Sequence, residues 1–427
     1  MSFMYYEKDG RGISDSELRE KLISSLPDTH LQKVLILPPD FTRVHSNAGR
    51  ITNIYYHYLT EKGCRVDIMP AVGTHERVTR EEAEIMFGDI PYEKLLVHNW
   101  RTDVVKLGEV PGSYLKEISE GMWTEGVSVE VNSLVMDSGY DLILSVGQVV
   151  PHVVVGMANH AKNLFVGVGG RDMISKSHML GAVYGMDRIL GRDHTPVRKL
   201  FDYAYEHFLY DRPIQFVLTV CTAEKEKIHQ HGLFIGHGRD ILDSAVVLAQ
   251  KHNVTYMQKR IRKCVAYLDP MEFKSTWVGD KALYRTCMAM EKGGELVILA
   301  PGVRTFGEDP GVDRMLRMYG YRGHDEIMRH YYDPEDPTLR ENQAVAAHLL
   351  QGSAHYGKFT VTYAVSKSFM QDVEQIGYQA ADYAEISKRY DPEKLTYGWH
   401  TMPDGEEIFY IPAPALGLWI AEDSASS

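Results

Sequence analysis

Nineteen histidines in 427 residues are the chemical oddity of this chain, because imidazole is the side chain that both titrates near neutrality and binds transition metals. Three of them stand beside other reactive residues. His75 sits in Gly73-Thr74-His75, downstream of Asp40-Phe41-Thr42-Arg43. His152 follows Pro151 and precedes Lys162, and His178 comes after Ser177. Histidine suits acid/base work or metal ligation, lysine nucleophilic or covalent chemistry, and arginine a bidentate grip on a carboxylate or phosphate. Taken singly, each has a plainer reading: an exposed turn histidine, a loop ion pair between Asp40 and Arg43, a helix-surface lysine.

The elements that would hold these residues read as repeated βα units. Ser14-Asp15 caps a helix to about Leu26, and Lys33–Leu37 is an apolar strand that ends at Pro38-Pro39. A helical face with Ile51, Ile54, Tyr55, Tyr58 and Leu59 stops near Gly63. The strand Arg65–Met69 then leads into the His75 loop and a helix announced by the capping-box pair Thr79 and Glu82. Asp141–Ser145, Ile214–Val220, Cys264–Leu268 and Glu295–Ala300 read as further strands, the last entered through Gly293-Gly294. Strands alternating with helices predict an α/β fold of two α/β lobes with largely parallel sheets and an active-site cleft between them. In such sheets ligands gather outside the carboxyl ends of strands, where Asp40 and Arg43, His75 and His152 all fall. The basic stretch 251–263 marks the boundary, giving an N-terminal catalytic and cofactor-attachment domain over 1–255 and a C-terminal domain over 256–427.

Composition narrows the function classes. With 46 Lys and Arg against 58 Asp and Glu the net charge is −12, which opposes general attraction to nucleic acids or anionic membranes and favours a small-molecule ligand. No run of roughly 18 apolar residues predicts a membrane span, and the start lacks a signal-peptide pattern, so a cytoplasmic protein is expected. Cys64, Cys221, Cys264 and Cys287 are far apart, so reduced and mostly buried thiols are expected rather than disulfides or a zinc ribbon. Gly167-Val-Gly-Gly170 matches neither a dinucleotide fingerprint nor a Walker sequence and carries little weight.

Together, Asp40-x-Thr42-Arg43, Gly73-Thr74-His75 and the spacing from His152 through Lys162 to His178 resemble the nickel-pincer-nucleotide-dependent lactate racemase family. The resemblance is strongest over residues 30–210. It implies that Lys162 is covalently joined to the cofactor, a nickel(II) pyridinium-3,5-bisthiocarboxylate mononucleotide, and that His178 is the protein's nickel ligand. It implies further that His75 and His152 are the catalytic acid/base pair, and that Asp40, Phe41, Thr42 and Arg43 contact the cofactor. Arg43 and, in the second lobe, Arg304 are the candidate substrate cations.

The implied activity is inversion of C2 of a 2-hydroxy acid, lactate or a larger relative, by proton-coupled hydride transfer, in a protein that relies on separate cofactor-maturation proteins. One departure stands out: the family usually has Gly-Gly-Arg just before the cofactor lysine, and this chain has Asn159-His160-Ala161. Two other readings compete. A nicotinamide-dependent 2-hydroxy-acid dehydrogenase is disfavoured by the missing Gly-x-Gly-x-x-Gly after the first strand. A non-catalytic nickel or cofactor-binding protein is disfavoured because storage needs no pair of acid/base histidines.

Overall fold

The computed structural model describes residues 2–8, 10–224, 227–307 and 309–425. These divide into two compact units, one of residues 1–180 and 190–253, the other of 181–189 and 254–427.

In the first unit the strands are β1 (Phe3–Tyr6), β2 (Lys33–Leu37), β3 (Arg65–Ile68), β4 (Val104–Val110), β5 (Val127–Asn132), β6 (Leu142–Gln148), β7 (Pro151–His152), β8 (Gly156–Met157), β9 (Ile214–Glu224) and β10 (Lys227–Gly236). The helices are α1 (Asp15–Ser24), α2 (Ala48–Glu61), α3 (Arg80–Phe87), α4 (Gly112–Ile118), α5 (Ser133–Met136), α6 (Arg171–Tyr184), α7 (Pro196–Phe208) and α8 (Arg239–Asn253). Six strands form the main sheet in the order β1-β10-β9-β6-β2-β3. The pairs β3–β2, β2–β6 and β6–β9 are parallel, while β9–β10 and β10–β1 are antiparallel.

This order follows from composition. Val34, Leu35, Ile36 and Leu37 of β2 are wholly buried, as a central parallel strand covered on both faces requires. Its core partners include Ile51, Ile54 and Tyr55 of α2, one apolar helix stripe. Both α1 and α3 begin with complete capping boxes, Ser14 with Glu17 and Thr79 with Glu82. Because β6, β2 and β3 are parallel neighbours, the loops after Leu37, Ile68 and Gln148 leave the same edge of the sheet.

The second unit has β11 (Thr255–Met257), β12 (Ile261–Tyr267), β13 (Met290–Leu299), β14 (Thr360–Val365), β15 (Gln379–Asp382), β16 (Gly398–Thr401), β17 (Glu407–Ile411) and β18 (Trp419–Ala421). Its main sheet runs β15-β14-β13-β12-β17-β16, parallel except for the edge strand β16. Beneath it Asp280, wholly buried, accepts hydrogen bonds from Tyr363 (2.6 Å) and Tyr378 (3.0 Å). Burial pushes its carboxyl up to about 7, although the tyrosine hydroxyls pull the other way.

The expected α/β class with largely parallel sheets is present. Two details differ. The segment after Ile214 extends to Glu224 and folds back as the antiparallel hairpin β9–β10. Strand β13 begins at Met290 rather than Glu295, with Gly293 and Gly294 inside a register shift against β12. All four cysteines are free and three are buried. Among the described residues no helix is long and apolar enough to cross a membrane.

Candidate active site

An open cavity of about 950 Å³ of empty space lies at the edge of the first unit's sheet where β6, β2 and β3 end. Asp40, Thr42, Arg43, His75, His152, Lys162 and His178 all line it. Of the residues expected there in this unit, Phe41 alone is elsewhere: its ring packs against the hydrophobic core between α2 and the sheet. Arg304 belongs to the second unit, where it is exposed on the loop after β13.

Each side chain is aimed by its neighbours. Asp40 ends the β2 loop as an N-terminal cap, one oxygen accepting from the Thr42 backbone (3.2 Å) and hydroxyl (2.5 Å). Its other oxygen lies 2.5 Å from Nδ1 of His75. Burial alone would push the Asp40 carboxyl up, but the hydrogen bonds from His75 and Thr42, with the nearby charge of Arg43, outweigh it and hold the acid below its ordinary value. A carboxylate only accepts, so His75 carries its hydrogen on Nδ1. The neutral ring therefore keeps its lone pair on Nε2.

His152 is set the other way. It stands in the two-residue ladder β7–β8, and its Nδ1 accepts from the Val154 backbone N–H at 3.1 Å. With that lone pair engaged, the neutral ring carries its hydrogen on Nε2. In this arrangement Nε2 of His75 can accept and Nε2 of His152 can donate a hydrogen bond.

His178 projects from α6, and its Nδ1 donates to the carbonyl of Ile174 one turn back, at 2.6 Å. Burial drives the ring down to about 4, so it is neutral, with an Nε2 lone pair available to a metal. A ligating histidine is usually oriented by such a bond on its other nitrogen.

Lys162 begins a single wide helical turn over Asn163–Gly167. Burial, reinforced by the charges of Arg43 and Arg198 and partly offset by Asp40, brings its amine down to about 7. A large fraction is thus unprotonated, and so nucleophilic, at neutral pH. Asn163 anchors the turn through its amide to Leu37 O (3.1 Å) and Ser145 Oγ (3.0 Å). Gly73, in the left-handed region at φ 58°, bonds the same turn through Gly167 O at 2.8 Å.

The Asn159-His160-Ala161 departure has a structural explanation. Asn159 and His160 both have left-handed backbones, φ 71° and 58°, a conformation that glycine takes freely. The side chains are put to use. Asn159 Oδ1 caps the His160 N–H (2.7 Å), and its amide fills the space where a Cβ on Gly147 would stand. His160, 2% exposed, stacks on Phe216 at 3.8 Å between ring centroids. Two features here carry no signal in the sequence. Arg198 of α7, fully buried, donates to the carbonyls of Met157 (2.6 Å) and Asn159 (3.1 Å), putting a guanidinium beside the loop that lacks one at position 161. His98, also buried, joins Gly169 O (3.1 Å) to the Asn132 amide (3.0 Å) and so fixes the glycine-rich turn.

Residues 18–187 match the family model of the lactate racemase N-terminal domain. That lactate racemase match contains every cavity residue expected from the sequence, whereas Arg198 lies beyond it. Two solved structures are similar over nearly the whole chain. A Thermotoga maritima protein of known crystal structure is 22% identical, with a TM-score of 0.79, covering 97% of this chain and all of its own. The lactate racemase apoprotein from Thermoanaerobacterium thermosaccharolyticum is 16% identical, with a TM-score of 0.69, covering 97% of this chain and 96% of its own. At these identities the likeness is one of fold. No curated protein matches the sequence.

The cavity wall thus offers a partly unprotonated lysine amine, an imidazole with one lone pair free and an arginine, groups able to bond an electrophilic carbon, a transition metal and an anion in turn.

Proposed function

We propose that this chain is a 2-hydroxy-acid racemase or epimerase of the lactate racemase type. The observation that carries the reading is the gathering of Asp40, Arg43, His75, His152, Lys162 and His178 around one cavity within the matched domain. Lys162 would hold the nickel-pincer nucleotide through its amine, and His178 would complete the nickel's ligation through Nε2. When bound, the nucleotide supplies the hydride acceptor and donor that inversion at the Cα of a hydroxy acid requires.

The protein's own groups handle charge and protons. Arg43 neutralises an anion, the substrate carboxylate or the cofactor phosphate. His75 takes the hydroxyl proton at Nε2, and Asp40 stabilises the resulting imidazolium through Nδ1–H. For the opposite hand His152 gives a proton to the substrate oxygen, entering as imidazolium with its Val154 contact opened. The two rings exchange protonation states at each turnover, so no net proton is gained or lost. A nicotinamide dehydrogenase finds no support here, since the loop after β2 is Pro38-Pro39-Asp40 rather than a glycine fingerprint.

The test is peptide mapping and metal analysis of protein co-produced with the cofactor-maturation enzymes, followed by a chiral screen of 2-hydroxy acids. A Lys162 adduct with one nickel per chain, and loss of isomerisation in His75→Ala and His152→Ala with the adduct retained, is the expected result. An unmodified Lys162, under conditions where a proven lactate racemase is modified, overturns the reading.

A further inference from the structure

Away from that cavity, three metal-ligating side chains converge on the opposite flank of the first unit's sheet. Glu7 follows β1, His231 lies in β10 and His252 is in the last turn of α8. One donor atom from each lies within 4.8 Å of the others. Glu7 and His231 are only 13% and 10% exposed, and His231 Nδ1 meets Glu7 Oε1 at 2.6 Å.

What sets the cluster apart from an ordinary Glu–His pair is the support on the far side of each ligand. The other Glu7 oxygen accepts the Gly12 N–H at 2.7 Å. The other His231 nitrogen meets the Thr222 hydroxyl at 2.8 Å. A hydroxyl both donates and accepts, so Thr222 satisfies either tautomer of His231, including the one that leaves the Nδ1 lone pair for a cation. His252 stacks on His231, ring centroids 3.8 Å apart, and has no hydrogen-bond partner among the described residues. Outer partners of this kind are what orient ligands in protein metal sites.

We propose that Glu7, His231 and His252 form a zinc site separate from the Lys162 cavity. Two imidazoles and one carboxylate make a zinc ligand set, with a fourth, water-filled position. Zinc takes the place of the hydrogen between Glu7 and His231. That hydrogen moves to Nε2 against Thr222, and the His252 ring leaves the stack to turn one nitrogen inward. The ion then ties the end of the N-terminal strand to β10 and to the end of α8. This inference is independent of the function proposed for the cavity. The other acidic and histidine cluster, Asp193, His194 and Asp243, is a weaker candidate, because Arg239 already pairs with both of its carboxylates.

The experiment uses the full chain, freed of metal and carrying His178→Ala so that the cavity histidine is not counted. Zinc is titrated in competition with a chromophoric chelator, and thermal unfolding is followed with and without the ion. One tight equivalent is expected, with a zinc-dependent rise in the unfolding midpoint. Adding His252→Ala, at a helix end where it leaves the fold intact, should weaken that equivalent at least 100-fold and remove the rise. Glu7→Gln should act in the same direction, and His194→Ala should change neither. A tight equivalent that survives both His252→Ala and Glu7→Gln, or none in the starting protein, overturns the proposal.

Discussion

Asp40 and His75 are joined by a 2.5 Å contact between a carboxylate oxygen and Nδ1, although 34 residues separate them in the chain. The contact fixes the tautomer of the one ring and the ionisation of the other group. Asp40→Asn keeps the shape but removes the charge that supports an imidazolium at His75. We expect kcat to fall about 100-fold, within the range for a positioned proton-transfer group, with little change in the thermal unfolding midpoint. An unchanged kcat would show that His75 does not depend on Asp40.

The amine of Lys162 should react at lower pH than any surface lysine. With its value brought down to about 7, labelling of Lys162 in the apoprotein by an amine-selective reagent should reach half its maximum near that pH. Surface lysines should do so near 10. Arg198→Met removes one of the two positive neighbours, so it should move the midpoint upward. The sign for stability follows: between about 7 and 10.5 the unfolded chain holds a proton on this lysine that the native state lacks, so its contribution rises with pH through that window. A labelling midpoint near 10 would contradict the geometry that buries this amine.

The left-handed backbone at His160 predicts an order between two substitutions. His160→Ala loses the stack on Phe216 and keeps a Cβ at φ 58°. His160→Gly loses the same stack but relieves the backbone, by about 1 kcal/mol. Urea unfolding should therefore find the glycine variant the more stable of the two. The reverse order would mean that the turn carries no strain at this residue.

In the second unit, Asp280 should make stability fall as pH rises. Its carboxyl is pushed from 3.8 up to about 7, so between those values the native state holds a proton that the unfolded chain has released. Asp280→Asn, which cannot ionise against Tyr363 and Tyr378, should flatten that part of the profile and gain stability relative to the parent at pH 8. Urea midpoints at pH 5 and pH 8 for both proteins check it. Parallel profiles would remove Asp280 as the source.

Much of this architecture is written in local pattern. The wholly apolar Val34–Leu37 and the capping boxes at Ser14 and Thr79 locate the first βα units, and the parallel arrangement then brings Asp40, His75 and His152 to one edge. What local pattern does not contain is which atom faces which. Asp40 and Phe41 are adjacent, yet one turns to the cavity and the other to the core, because the short helical turn they begin rotates successive side chains apart. Arg198 is not legible in the sequence because its partners are backbone carbonyls, which leave no trace in residue type. The β9–β10 hairpin is only half legible in the sequence, since it takes the pairing register to show that the strand runs on past Val220.

Under the racemase function proposed above, the unequal setting of the two histidines has a kinetic consequence. A racemisation has an equilibrium constant of one, so the Haldane relation forces kcat/KM to be the same for both enantiomers whatever the walls of the site are made of. A base backed by a carboxylate on one side and a ring held by a backbone amide on the other cannot alter that ratio. Any asymmetry can show only in kcat and KM separately, the two changing by one common factor between mirror-image substrates.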